Sequence, residues 1–158
     1  MTSPGACDYR LVHANVARAK APLDSPLMAE FVSLVDEINA LARRAPGFVA
    51  QPTPPDDGSV FRAPLLLNVS IWESIEQLDA FTHEGKHAEA LERRAEWFDQ
   101  GGTDPKYVLF WMPATDAVTE REVRRRLDHL REHGPTPYAF TFDRRFTAQE
   151  AREFVPAR

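Results

Sequence analysis

Apolar and polar residues alternate with period two in several stretches of the chain, and between them the spacing changes to that of helices. Over 9–18, Tyr9, Leu11, His13, Asn15 and Ala17 fall on one side and Val12, Ala14 and Val16 on the other, which predicts a strand. Asp24 or Ser25 then caps a helix, with Pro26 in its first turn. Met28, Phe31, Val35, Ile38 and Leu41 are its predicted core-facing stripe, and Pro46-Gly47 ends it. Phe48–Gln51 starts a second strand, and 52–64 is a proline-rich loop too long for a tight hairpin. A third strand over Leu65–Glu73 places Leu65, Leu67, Val69 and Ile71 opposite Leu66, Asn68, Ser70 and Trp72. Ser74-Ile75-Glu76-Gln77 fits a capping box, and Ile75, Leu78 and Phe81 continue as a helix. Gly85 interrupts, and 86–98 resumes helical spacing through His87, Leu91, Arg94 or Ala95, and Phe98. Lys106–Met112 is a fourth strand, and Thr119 with Glu122 opens a helix that stops at Gly134-Pro135. Tyr138–Phe142 alternates again and predicts a short extra strand.

The order β-α-β-β-α-β, with an extra C-terminal helix and short strand, is the α+β ferredoxin-like arrangement. Its first and third strands are central neighbours. His13, Asn15, Asn68, Ser70 and Trp72 therefore form one patch, and the purely apolar positions form the other face. Alternation alone does not say which face the helices cover. Both faces carry too much apolar area to stand in water, so a second subunit is expected over the side the helices leave open. Residues 1–8 are expected to be a flexible lead, 9–146 a single domain and 147–158 a tail.

With 158 residues, one domain is the natural reading. Lys and Arg total 19 against 24 Asp and Glu, so no broad cationic surface is expected, which argues against nucleic acid and anionic membranes as partners. The single cysteine, Cys7, excludes an intramolecular disulfide and a multi-cysteine zinc site. No apolar run reaches the ~20 residues of a membrane span, and the first residues lack a secretory pattern, so a cytoplasmic protein is expected. There is no Gly-rich phosphate loop, dinucleotide fingerprint or nucleophile elbow. His83 and His87 stand four apart with no third ligand evident, so no metal site is expected.

Candidate chemistry centres on His87, whose imidazole can act as a general base. Asn15 can orient a substrate carbonyl or dioxygen. His13, Asn68 and Ser70 share the polar patch, and Trp72 supplies apolar area and one N–H for lining a pocket. Arg94 can clamp a carboxylate or phenolate, and Trp97 can close its helix over the pocket. Trp111 is expected in the core or a dimer contact. Arg121, Arg124, Arg125 and Arg126 read as a solvated helix face among glutamates. The 52–64 loop is a candidate lid.

The stretches HANVARAKAPLDSPLMAEF, INALARRAPGFV, LLLNVSIWESIEQLDAF, GKHAEALERRAEWF, VLFWMPA and HLREHGPTPYAFTF resemble the dimeric α+β barrel superfamily, and within it a mainly bacterial domain-of-unknown-function family. The superfamily includes antibiotic-biosynthesis monooxygenases and monooxygenase-type haem-degrading enzymes. The resemblance implies a homodimer packed sheet against sheet through the apolar face, with the polar patch turned to the helices as a pocket for a small hydrophobic or aromatic molecule. It also implies, from the haem-degrading branch, that Asn15, Trp72 and His87 stand where that branch has a strand Asn, a strand-end Trp and a proximal His. Three functions follow as expectations. The first is a cofactor-independent monooxygenase, or a base-triggered cyclase or isomerase, with His87 as base and Asn15 stabilising an enolate-like oxygen. The second is a haem protein with His87 as axial ligand. The third is a non-catalytic ligand-binding module.

Overall fold

The computed structural model describes residues 9–52, 65–99 and 105–154. Cys7 and most of the loop suggested as a lid lie outside the described residues. The alternating stretches form four strands: β1 (Tyr9–Arg18), β2 (Phe48–Ala50), β3 (Leu65–Trp72) and β4 (Tyr107–Pro113). The helices are α1 (Ala29–Ala42), α2 (Ile75–Thr82), α3 (Gly85–Arg93), α4 (Glu120–His133) and α5 (Ala148–Glu153). The strands make one antiparallel sheet in the order β2-β3-β1-β4, which is the ferredoxin-like topology.

Register places the sequence patch on one face. Leu11 stands opposite Trp72, His13 opposite Ser70, and Asn15 opposite Asn68 across β1 and β3. Side chains on paired strands keep their face, so these groups cluster. That face is turned to α1, α2 and α5: Leu11, Trp72, Leu109 and Trp111 pack on Ile75, Leu78, Phe140 and Ala148. Ala17 and Leu66 meet Met28, Leu34, Ile38, Trp97 and Phe98 at the other end.

The opposite, apolar face is also covered by a helix. Val12, Ala14, Val16, Val69, Val108, Phe110 and Met112 pack on Val123, Leu127 and Leu130 of α4. The apolar face is therefore not wholly free for a second subunit. α4 takes its inner part, and Leu65, Leu67 and Ile71 of β3 stay only partly buried at its margin.

Several local expectations are corrected. The α1 stripe runs through Met28, Leu34, Ile38 and Ala42, whereas Leu41 is 44% exposed. Phe31 packs on this core as the spacing predicts, so the slip lies at the far end, where 3.6 residues per turn bring position 42 inward as readily as 41. No strand forms over 138–142. Phe140 alone pairs, exchanging two hydrogen bonds with Leu109, and turns closed by Thr136/Ala139 and Thr141/Arg144 confine pairing to that residue. α5 was not anticipated, although its signal is plain: Thr147 and Glu150 form a complete capping box. In the basic run of α4, Arg124 on Asp128 and Arg125 on Glu122 form the expected solvated face, whereas Arg126 is turned inward, pairing with Glu122 and stacking on Tyr138, whose carbonyl it also bonds. Trp111 is a core residue whose Nε1 donates to the Phe146 carbonyl at 2.8 Å.

Candidate functional site

Between the polar sheet face and helices α1, α2 and α3 lies a cavity of about 30 Å³. Its floor is the sheet: His13 from β1, and Asn68, Ser70 and Trp72 from β3. Ile38, Asn39 and Ala42 come from α1, Leu78, Phe81 and Thr82 from α2, His87 from α3, and Gln51 from the end of β2. Volume of this size holds about two waters. Asn68 is exposed and Asn39 and Gln51 are half-buried, so this amide group marks the more open side.

Each wall has a local cause. Ser74 caps α2 by accepting from the Gln77 N–H at 3.2 Å, which fixes the helix start just after β3 and sets Leu78, Phe81 and Thr82 over the sheet. The chain leaves α2 through Gly85, whose φ of +59° lies in the left-handed region. That break starts α3 two residues before His87 and turns its ring back against Phe81, with ring centroids 5.5 Å apart. On the floor, Trp72 Nε1 donates to Ser70 Oγ at 2.9 Å, so these two tie each other down. At the open side Gln51 Nε2 donates to Asn39 Oδ1 at 2.9 Å and to Asn68 Oδ1 at 3.3 Å. Both asparagines thus spend their acceptors on Gln51 and keep their amide N–H groups as donors.

The cavity wall is electrically neutral among the described residues. None of its twelve lining residues is Asp, Glu, Lys or Arg. Burial, with help from the nearby His87 and His83, pushes the His13 imidazole down to about 3. Burial also lowers His87, against the opposing pull of the Thr82 backbone and its own, and His83 adds to the lowering. Both rings are therefore uncharged at pH 7. Two lining residues carry a fully buried polar atom with no hydrogen-bond partner: Thr82 Oγ1 and His87 Nδ1. Buried polar atoms are normally paired, so this is an unusual wall.

Of the residues singled out from the sequence, His13, Asn68, Ser70, Trp72 and His87 meet at this cavity. Asn15 shares their sheet face, and its Oδ1 is buried without a partner, but it stands beside the cavity and not in its lining. Arg94 and Trp97 are not brought there. α3 ends at Arg93 and passes into a 3-10 turn over Arg94–Glu96, which breaks the spacing that would have carried the His87 stripe onward. Arg94 is exposed and its Nη1 donates to the Leu91 carbonyl. Trp97 is buried in the core with Phe31 at 5.3 Å and lies beneath Arg93. Sequence reasoning missed Asn39, Gln51 and Thr82.

The profile of the family described as a domain of unknown function (DUF3291) matches residues 10–155. The chain belongs to the DUF3291 family. Its architecture is shared with solved structures at low identity. A conserved protein from Methanosarcina mazei Go1 superposes with a TM-score of 0.50 at 11% identity, covering 68% of this chain and 95% of that one. SnoaB, a cofactor-independent oxygenase from Streptomyces nogalater, gives 0.45 at 13% identity over 70% of this chain and 97% of its own. A candidate antibiotic biosynthesis monooxygenase from Nitrosomonas europaea gives 0.46 at 11%, over 73% and 96%. No curated protein matches. Among the described residues of this DUF3291 chain no helix is long and apolar enough to cross a membrane, and no group of three or more His, Cys, Asp or Glu is placed to hold a metal ion.

Haem does not fit this site. A porphyrin is many times larger than the 30 Å³ cavity.

Proposed function

We propose that this protein is a small-molecule tailoring enzyme of the cofactor-independent monooxygenase kind, with His87 as its general base. The observation that carries the reading is the buried, unpartnered Nδ1 of a half-buried, uncharged His87 in the wall of this cavity. An uncharged imidazole is ready to take a proton, although its lowered pKa restricts it to substrates with an acidified C–H. Only the reacting end of an aromatic substrate enters a space of this size, while its bulk lies at the amide-lined side. Removal of the proton leaves a delocalised carbanion that reduces dioxygen directly. For a CH2 flanked by aryl rings the balance is CH2 + O2 → C=O + H2O, with the four electrons supplied by the carbon. The amide N–H groups of Asn39 and Asn68 are the donors nearest to hand for the developing oxyanion, and Asn15 is the next along β1. Trp72 and Phe81 provide the aromatic walls. In this reading two copies pair through the margin of the apolar face, where α4 leaves Leu65, Leu67 and Ile71 only partly covered.

Anthrone is a suitable probe, because its ring CH2 is acidified by the opposite carbonyl. In an oxygen electrode the wild type should consume one O2 per anthrone faster than the uncatalysed reaction. His87→Ala should lower the catalysed rate by about 10²–10⁴-fold, the usual contribution of a general base. An equal rate in His87→Ala contradicts the assignment of the base, and no acceleration by the wild type contradicts the oxygenase reading.

A further inference from the structure

Two features of the cavity point beyond the base. Thr82 is 4% exposed, lies at the last position of α2, and its Oγ1 has no partner. In a helix the threonine hydroxyl ordinarily bonds back to a carbonyl one turn earlier, so an unpaired one is a group left for something else. His87 lines the same space, and its buried Nδ1 is unpaired as well. Leaving such groups buried and unmatched costs about 1–3 kcal/mol each, so retaining two in one cavity is explained by a ligand that completes both.

Charge selects what that ligand is. Of the carboxylates flanking Thr82, Glu84 is exposed and Asp79 is engaged outside the cavity by Arg145 and His83. Arg93, the cation ending α3, is held by Glu30 and Glu96. With Arg94 on the surface, no charged side chain among the described residues lines the wall to receive an anion or a cation. An ion entering this space would lose its hydration with nothing opposite to replace it. A hydroxyl group can donate or accept, and so can an imidazole nitrogen according to its tautomer, so the pair suits a group that itself does either.

We propose that Thr82 is a ligand-contacting residue and that it and His87 together bind an uncharged oxygen function, such as a phenol or ketone, in preference to a carboxylate, phosphate or ammonium group. The proposal rests on the cavity being a ligand site and specifies the chemistry of its occupant.

Formamide, formate and formamidinium have the same shape and three heavy atoms, and carry charges of zero, minus one and plus one. Each is titrated into the wild-type protein at pH 7 while the imidazole nitrogens of His87 are followed by long-range proton–nitrogen NMR. Formamide should shift the His87 nitrogens saturably, and the two ions should bind at least about tenfold more weakly. Thr82→Val, which keeps the shape and removes the hydroxyl, should weaken formamide about tenfold, and Thr82→Ser should retain it. Formate or formamidinium binding as well as formamide overturns the charge preference, with no variant needed. Unchanged formamide affinity in a folded Thr82→Val overturns the role of Thr82. Either result leaves the anthrone assay free to support the enzyme reading. Silence of His87 toward all three probes overturns this proposal and the ligand-site reading together.

Discussion

The histidine on the cavity floor makes the stability of the protein depend on pH in a calculable way. His13 ionises near 6.5 when exposed and at about 3 in the folded protein. Between those values the unfolded chain carries a proton at this position and the folded chain does not. The unfolded state then binds more protons, so stability rises with pH across this window. The contribution is intact above pH 6.5 and is lost progressively as pH falls toward 3. At 1.36 kcal/mol per pH unit, the loss between pH 7 and pH 5 is about 2 kcal/mol, and below pH 3 it reaches about 5 kcal/mol. His87 acts in the same direction because its pKa is also lowered. The contribution of His13 is isolated by His13→Gln, which is neutral at all pH values and keeps a hydrogen-bonding side chain. Urea unfolding of both proteins at pH 7 and pH 5 is the assay. Wild type should lose about 2 kcal/mol more than the variant on acidification. Parallel losses in the two proteins would refute the burial of an uncharged His13 under the helices.

Three other perturbations test separate parts of the structure. Ser70→Ala removes the acceptor of the buried Trp72 N–H and should cost about 1–3 kcal/mol by urea unfolding; a change within experimental error would show that the indole finds another partner. Gly47→Ala places a Cβ 2.1 Å from Gln77 Oε1 at a φ of +85°, so the thermal midpoint should fall by several degrees, about 1–2 kcal/mol; an unchanged midpoint would refute the tight approach of this turn to α2. Leu67→Glu charges the uncovered margin of the apolar face and should convert a dimer to a monomer in light scattering; a monomeric wild type, or a dimer that survives the change, would refute pairing through this surface.

Much of the sheet was legible because period-two alternation translates directly into faces once strands pair. That His13, Asn15, Asn68, Ser70 and Trp72 share one face follows from the strand patterns and the ferredoxin-like order, whereas the register that sets His13 opposite Ser70 and Asn15 opposite Asn68 is set by the folded sheet. His87 was legible because the Gly85 break and the early turns of α3 are local. Arg94 and Trp97 were misplaced where the winding changes from α to 3-10, a shift that apolar spacing does not announce. The α1 stripe slipped at its far end, where Ala42 and not Leu41 turns inward. Gln51, Asn39 and Thr82 come from three elements far apart in the chain, and only tertiary assembly makes them one wall. The covering of the apolar face by α4 was hidden because the amphipathic pattern of a helix does not name the surface it will meet. α5 was missed despite a readable signal, since the Thr147/Glu150 pair has the same form as the caps recognised at Ser74 and Thr119.

The central claim is that His87 is an uncharged base held inside a neutral cavity, and imidazole nitrogen NMR from pH 5 to pH 8 measures this directly. The account predicts that His87 stays unprotonated at pH 7, titrates below 6.5, and has its midpoint moved when formamide is added. A His87 that titrates at 6.5 like a free imidazole, indifferent to the probe, would contradict it.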